Sequence, residues 1–108
     1  HFLQRAATQA ADAIVEAELS SSQGYRRLLT VIPDGDGQTT DATIIYTQIV
    51  RLWEHLTSRV ITADDTQYIR LKSLWDAGLA SSSGAVATKN AWRLVLIGMF
   101  LSPEFISY

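Results

Sequence analysis

The sequence predicts an all-α fold, a compact bundle of about five helices forming one domain over residues 1–108. Three observations carry that expectation. Apolar side chains recur at spacings of three and four along most of the chain, the period of a helix face. The stretches between them are rich in Gly, Ser, Asp and Thr, the residues of turns and helix caps. From Leu94 to Leu101 no side chain is polar, and only Gly98 lacks one.

That last stretch organises the reading. An element apolar on all sides is wrapped by other elements. The segment that contains that stretch, Ala91 to Leu101, has 11 residues and falls far short of the ~20 that cross a bilayer, so no transmembrane segment is expected. A buried strand is the rival assignment, because periodicity alone does not separate the two for a short apolar run. Helix is preferred on three grounds. Thr88 or Asn90 can cap its start, Leu and Met outnumber β-branched residues, and Ser102-Pro103 is a stop that also opens a new turn. The expected central helix is therefore 90–101.

In chain order, residues 2–19 read as a helix whose apolar stripe is Phe2, Leu3, Ala6, Ala7, Ala10, Ile14 and Ala17. Ser20 to Gly24 breaks it, and a short second helix is expected over Tyr25 to Val31. Pro33-Asp34-Gly35-Asp36-Gly37-Gln38-Thr39-Thr40 has turn chemistry at nearly every position. Asp41 or Thr40 caps a third helix reaching Arg59, with Ile44, Ile45, Ile49, Leu52, Trp53 and Leu56 on one stripe. Gln48, Arg51, Glu54 and His55 are placed off that stripe or at its rim. A fourth helix is expected from Thr62, with Asp64 and Asp65 in its first turn favouring the positive end of the helix dipole. Tyr68, Leu71, Leu74, Trp75 and Leu79 form its buried side. Ala80 to Gly84 links it to the central helix, and a final turn covers Pro103 to Tyr108. Short loops imply antiparallel neighbours.

Composition narrows the function classes. The chain is 47% hydrophobic with three Trp, four Tyr and three Phe, enough for a real core without staples. Its net charge of −2, with Arg26-Arg27 the one adjacent basic pair, argues against a nucleic-acid partner, which needs a basic stripe. The absence of cysteine removes disulfide frameworks, zinc-thiolate sites and covalent haem attachment within this chain. Opening on His1, without the apolar core of a signal peptide, the chain reads as a processed product or a piece of something longer.

No residue pattern identifies a reaction, and no catalytic or metal-binding residue is assigned. Asp34 to Gln38 resembles a calcium loop, but counting from Asp34 position 6 is Thr39 and position 12 is Ile45, where glycine and glutamate are needed. His55 has Arg59 at i+4 where a metal site on one helix would place a second ligand. Asp64-Asp65 and Asp12/Glu16 are carboxylate pairs better explained by a helix start and an exposed face. Trp53, Trp75 and Trp92 fall one on each of the three strongest helices. They read as core packing, with a ligand pocket as the alternative. Gly98 costs about 1 kcal/mol against Ala within a helix, so a close contact with a neighbouring helix or ring is expected there.

The second half of the chain also carries a resemblance. Leu56 to Asp65, Leu71 to Trp75, Ala91 to Leu96 and the ending Leu101-Ser102-Pro103-Glu104-Phe105-Ile106-Ser107-Tyr108 resemble the C-terminal helical domains of planctomycete-type cytochrome-associated proteins of unknown function. Ser102-Pro103-Glu104-Phe105 and Tyr108 match that family's closing signature, while Arg59-Val60-Ile61-Thr62 follows its arginine-rich helix entrance only loosely. The motif has a structural logic: Ser102 caps, Pro103 takes the first helical position, Glu104 sits in the first turn and Phe105 returns to the core. The resemblance implies a periplasmic or otherwise exported protein, a companion to haem-bearing subunits that holds no cofactor and has no established catalytic residues. The resulting expectation is a non-catalytic structural or interaction module within a larger assembly of protein subunits, such as an electron-transfer complex. The alternative is a helical domain binding a small ligand or cofactor through Trp53, Trp75 and Trp92.

Overall fold

The apolar run lies in a helix, and other elements cover it: no residue from 87 to 102 is exposed. The computed structural model describes residues 2–32 and 41–103. They form α1 (Phe2–Leu19), a 3₁₀ turn (Gln23–Tyr25), α2 (Ala42–Thr57), α3 (Thr66–Ala80) and α4 (Gly84–Phe100), with no strand among the described residues. The all-α class holds, with four α-helices among the described residues where about five are expected. α4 packs on α3 and on α1, and α2 packs on α3.

Helix starts follow capping chemistry, with two shifts from the sequence reading. Asp41 caps α2, accepting from the N–H groups of Thr43 (2.9 Å) and Ile44 (3.3 Å). For α3 the cap is Asp65, which accepts from Gln67 N–H at 2.9 Å. Thr62 instead closes the preceding turn, its carbonyl accepting from Asp65 N–H. A carboxylate is at least as good a cap as a threonine hydroxyl, and the helix begins where it stands. α4 starts at Gly84, six residues before the expected position. Asn90, expected to cap it, lies inside the helix and donates to Ser81 Oγ (3.2 Å) and Ser82 Oγ (3.3 Å), bracing the α3–α4 connection. Thr88 is buried in α4. A cap needs extended backbone, and Ser83 supplies it with φ −134° and ψ 161°.

The buried stripe of α1 is Ala7, Ala11, Val15 and Leu19, while Leu3, Ala6, Ala10 and Ala17 of the expected stripe are exposed. Alanine fits either face of a helix, so the alanine-rich half of α1 sets no direction. Val15 and Leu19 do, because burying them removes far more apolar area from water. On α2 the expected stripe is in place, but Gln48 joins it at 0% exposure.

Among the described residues the α3–α4 contact is the most extensive between helices. A Cβ added at Gly78 would lie 2.6 Å from Ala91 Cα and 2.7 Å from the Asn90 carbonyl oxygen, both backbone atoms of α4. Farther along, a Cβ at Gly98 would meet Leu74 Cδ1 at 2.5 Å, the movable end of a half-buried side chain. Arg70 of α3 donates to the Gly98 carbonyl at 3.3 Å. The two glycines therefore separate in their response to a methyl group. Gly78→Ala is expected to destabilise by about 2–3 kcal/mol, because two helix backbones must part and the ~1 kcal/mol gain in helix propensity does not compensate. Gly98→Ala is expected to stay within about 1 kcal/mol of the parent, since Leu74 can rotate away. Urea denaturation of the two variants measures both.

Candidate functional site

The expected second helix, Tyr25 to Val31, is absent beyond its first residue, which ends the 3₁₀ turn. Segment 26–32 follows an irregular path, and three side chains from different parts of the chain hold its backbone. Glu18, at the end of α1, accepts from the N–H groups of Arg27 (3.1 Å), Leu28 (2.7 Å) and Leu29 (2.8 Å) through Oε1. Gln48 of α2 accepts from Val31 N–H (2.8 Å) and Ile32 N–H (3.3 Å) and donates to the Leu28 carbonyl (2.9 Å). Arg26, 6% exposed, donates to the carbonyls of Ser21 (3.0 Å) and Ile32 (2.8 Å).

These contacts explain the missing helix. A helix over 25–31 would tie its amides to its own carbonyls. Here a carboxylate and a carboxamide take those amides, freeing Leu29 and Ile32 to be fully buried. Hydrogen bonds to an ionised acceptor are the stronger kind. Burial pushes the Glu18 carboxyl toward a higher pKa. The N–H groups of Leu29, Leu28 and Arg27, with the Arg26 guanidinium nearby, outweigh it and hold the group below its ordinary value.

Beside this clamp lies an open groove of about 420 Å³. Ala13, Ile14 and Ala17 of α1 and Leu28 of the clamped segment line it with apolar surface, and Glu18, Arg27 and His55 are its polar members. Tyr25, 84% exposed, stands on the 3₁₀ turn two residues before Arg27. A second hollow of about 480 Å³ opens between α1 and α4. Its charges are already matched: Lys89 pairs with Glu16 at 3.1 Å and Arg93 with Asp12 at 3.5 Å. The Asp12/Glu16 carboxylates are thus bound to separate cations of α4.

The remaining sequence candidates fall as follows. Trp53, Trp75 and Trp92 are all buried. Trp75 and Trp92 meet edge to face, with ring centroids 6.2 Å apart and planes at 67°, and the Lys72 ammonium sits 5.1 Å from the Trp75 ring centre. Neither of these two indole N–H groups has an acceptor among the described residues. None of the three tryptophans lines the apolar groove. Ser102 is buried, its N–H bonded to the Met99 carbonyl at 3.1 Å, and Pro103 has helical conformation. Phe105, the Asp34 to Thr40 loop, Glu104, Tyr108 and His1 lie outside the described residues. His55 is exposed, and among the described residues no group of three His, Asp or Glu side chains is placed to hold a metal ion. Sequence reasoning missed the Glu18–Arg26–Gln48 clamp. The one signal available was a glutamine four residues from Ile44 and Leu52, in step with an otherwise apolar stripe.

Two expectations follow. Replacing Glu18 by Gln keeps one acceptor oxygen but removes its charge, and should destabilise by about 1–2 kcal/mol near neutral pH. Because the folded-state pKa is depressed, the wild-type advantage is complete above the ordinary value of 4.5 and fades as pH falls through the folded value. Denaturation curves of both proteins at stepped pH should converge on acidification. Separately, Trp75→Phe and Trp92→Phe should each abolish the same coupled near-ultraviolet circular dichroism band, while Trp53→Phe leaves it in place. Comparison with protein-family models, curated proteins and solved structures finds no match.

Proposed function

We propose that this chain is a non-catalytic interaction module, a subunit or fragment of a larger assembly, and that it meets a partner protein through the face formed by α1, the clamped segment and the end of α2. The observation behind this reading is where the polar side chains are used. Glu18, Arg26 and Gln48 hold an irregular segment in one conformation beside an open apolar groove. A fixed loop next to an apolar hollow loses little conformational freedom on association, which favours binding. Five other acids serve the fold: Asp41 and Asp65 cap helices, Asp12 and Glu16 bridge α1 to α4, and Asp76 pairs with Lys72.

The resemblance of the closing sequence adds a setting to the proposal, an exported, cytochrome-associated complex in which this chain accompanies haem-bearing subunits. Among the described residues no helix is long and apolar enough to cross a membrane.

Size measurement on native material provides the test. The chain should travel well above its own 11.9 kDa, together with other polypeptides. Ala17→Gln places a longer neutral side chain in the groove from an exposed helix position, and should release the chain at its own mass without loss of helicity. Migration of the unaltered native chain alone would end this reading.

A further inference from the structure

We propose that the small hollow between the end of α2 and the start of α3 binds a zwitterion, a free amino acid no larger than serine, through its carboxylate and ammonium groups together. The site is separate from the partner face described above, and neither reading depends on the other.

The hollow holds about 180 Å³ and is lined by Trp53, Arg59, Val60, Ile61, Asp65 and Gln67. Trp53, 1% exposed, and buried Ile61 supply apolar surface, while Arg59, Val60 and Asp65 are exposed. Opposite charges are used differently here from those between α1 and α4. There Lys89 pairs with Glu16 at 3.1 Å and Arg93 with Asp12 at 3.5 Å. Arg59 and Asp65 share one hollow, yet neither enters an ion pair among the described residues, so more than 4.0 Å separates guanidinium from carboxylate. A lone anion would meet Arg59 but leave the Asp65 carboxylate opposed to it, and a lone cation would do the reverse. A ligand bearing both charges matches both.

A third group is idle as well. Gln67 Nε2 is buried without an acceptor among the described residues, an arrangement that costs stability. Turning this carboxamide into the hollow gives up no hydrogen bond of Nε2 and offers the ligand carboxylate a second donor beside Arg59.

The backbone around these groups is already fixed. Ser58 ends α2 in a left-handed turn, with φ 60°. The Thr57 hydroxyl donates to the Trp53 carbonyl at 2.7 Å and accepts from the Arg59 N–H at 3.3 Å. Asp65 Oδ1 accepts from the Gln67 N–H at 2.9 Å, which leaves the second carboxylate oxygen for an ammonium. Size limits the ligand. At ~30 Å³ per molecule of liquid water, about 180 Å³ is room for about six heavy atoms. Glycine, alanine and serine are of that order.

Glycine, acetate and methylammonium are titrated in turn into the isotope-labelled full chain at low salt, with backbone amide and Trp53 indole signals followed. Glycine should move the signals of residues 53, 59–61, 65 and 67, and each half-ligand should bind on the order of tenfold more weakly. Asp65→Asn keeps a capping oxygen for α3 and removes the charge. It should weaken glycine on the order of tenfold while strengthening acetate, a reversal that a loss of structure would not produce. Arg59→Met, at an exposed position, should weaken glycine by a similar factor and leave acetate unbound. The proposal is overturned if glycine moves no signal at this hollow, if either half-ligand binds as tightly as glycine, or if glycine binding is unaltered in either variant.

Discussion

The fold depends on how closely α3 and α4 approach each other. At Gly78 the helices come within the space of a missing methyl group, and the facing atoms belong to the α4 backbone. That proximity brings Trp75 against Trp92 and carries Arg70 to the Gly98 carbonyl. It also covers one side of α4, which α1 packs against as well. A helix greasy all round tolerates no gap in its coat, because every uncovered side chain returns apolar area to water.

α2 packs on α3 and α1 on α4, while segment 26–32 is bonded to both α1 and α2. An apolar wedge would have been simpler to bury than an irregular backbone. The backbone has to satisfy each N–H and C=O once water is gone. Glu18, Arg26 and Gln48 meet that demand with fixed geometry, and Leu29 and Ile32 are delivered to the core between them.

Much of this was legible in the residues. Helix class, the caps at Asp41 and the break after Leu19, the apolar stripes of α2 and α3, and the enclosure of the 94–101 run all follow from periodicity and local chemistry. Most of what was not legible depended on partners elsewhere in the sequence. The buried face of α1 is settled by its neighbours, because an alanine stripe has no strong preference. The loss of the second helix is caused by Gln48, about twenty residues downstream, and by Glu18, about ten residues upstream. Asn90 was misread as a cap because its actual hydrogen-bond partners, Ser81 and Ser82, looked like a passive linker. The groove was invisible for the same reason, since its lining comes from α1, the segment after it and the far end of α2.

Holding a loop through acceptors from two helices has a kinetic corollary. The amides of Leu28, Leu29 and Val31 belong to no regular element, yet each is bonded to a side chain rather than to water. Their exchange with deuterated solvent should therefore be slow, at rates resembling those of helix interiors. Since the acceptors reside on α1 and α2, opening this stretch would loosen both rods together, joining three non-contiguous pieces into a single cooperative unit.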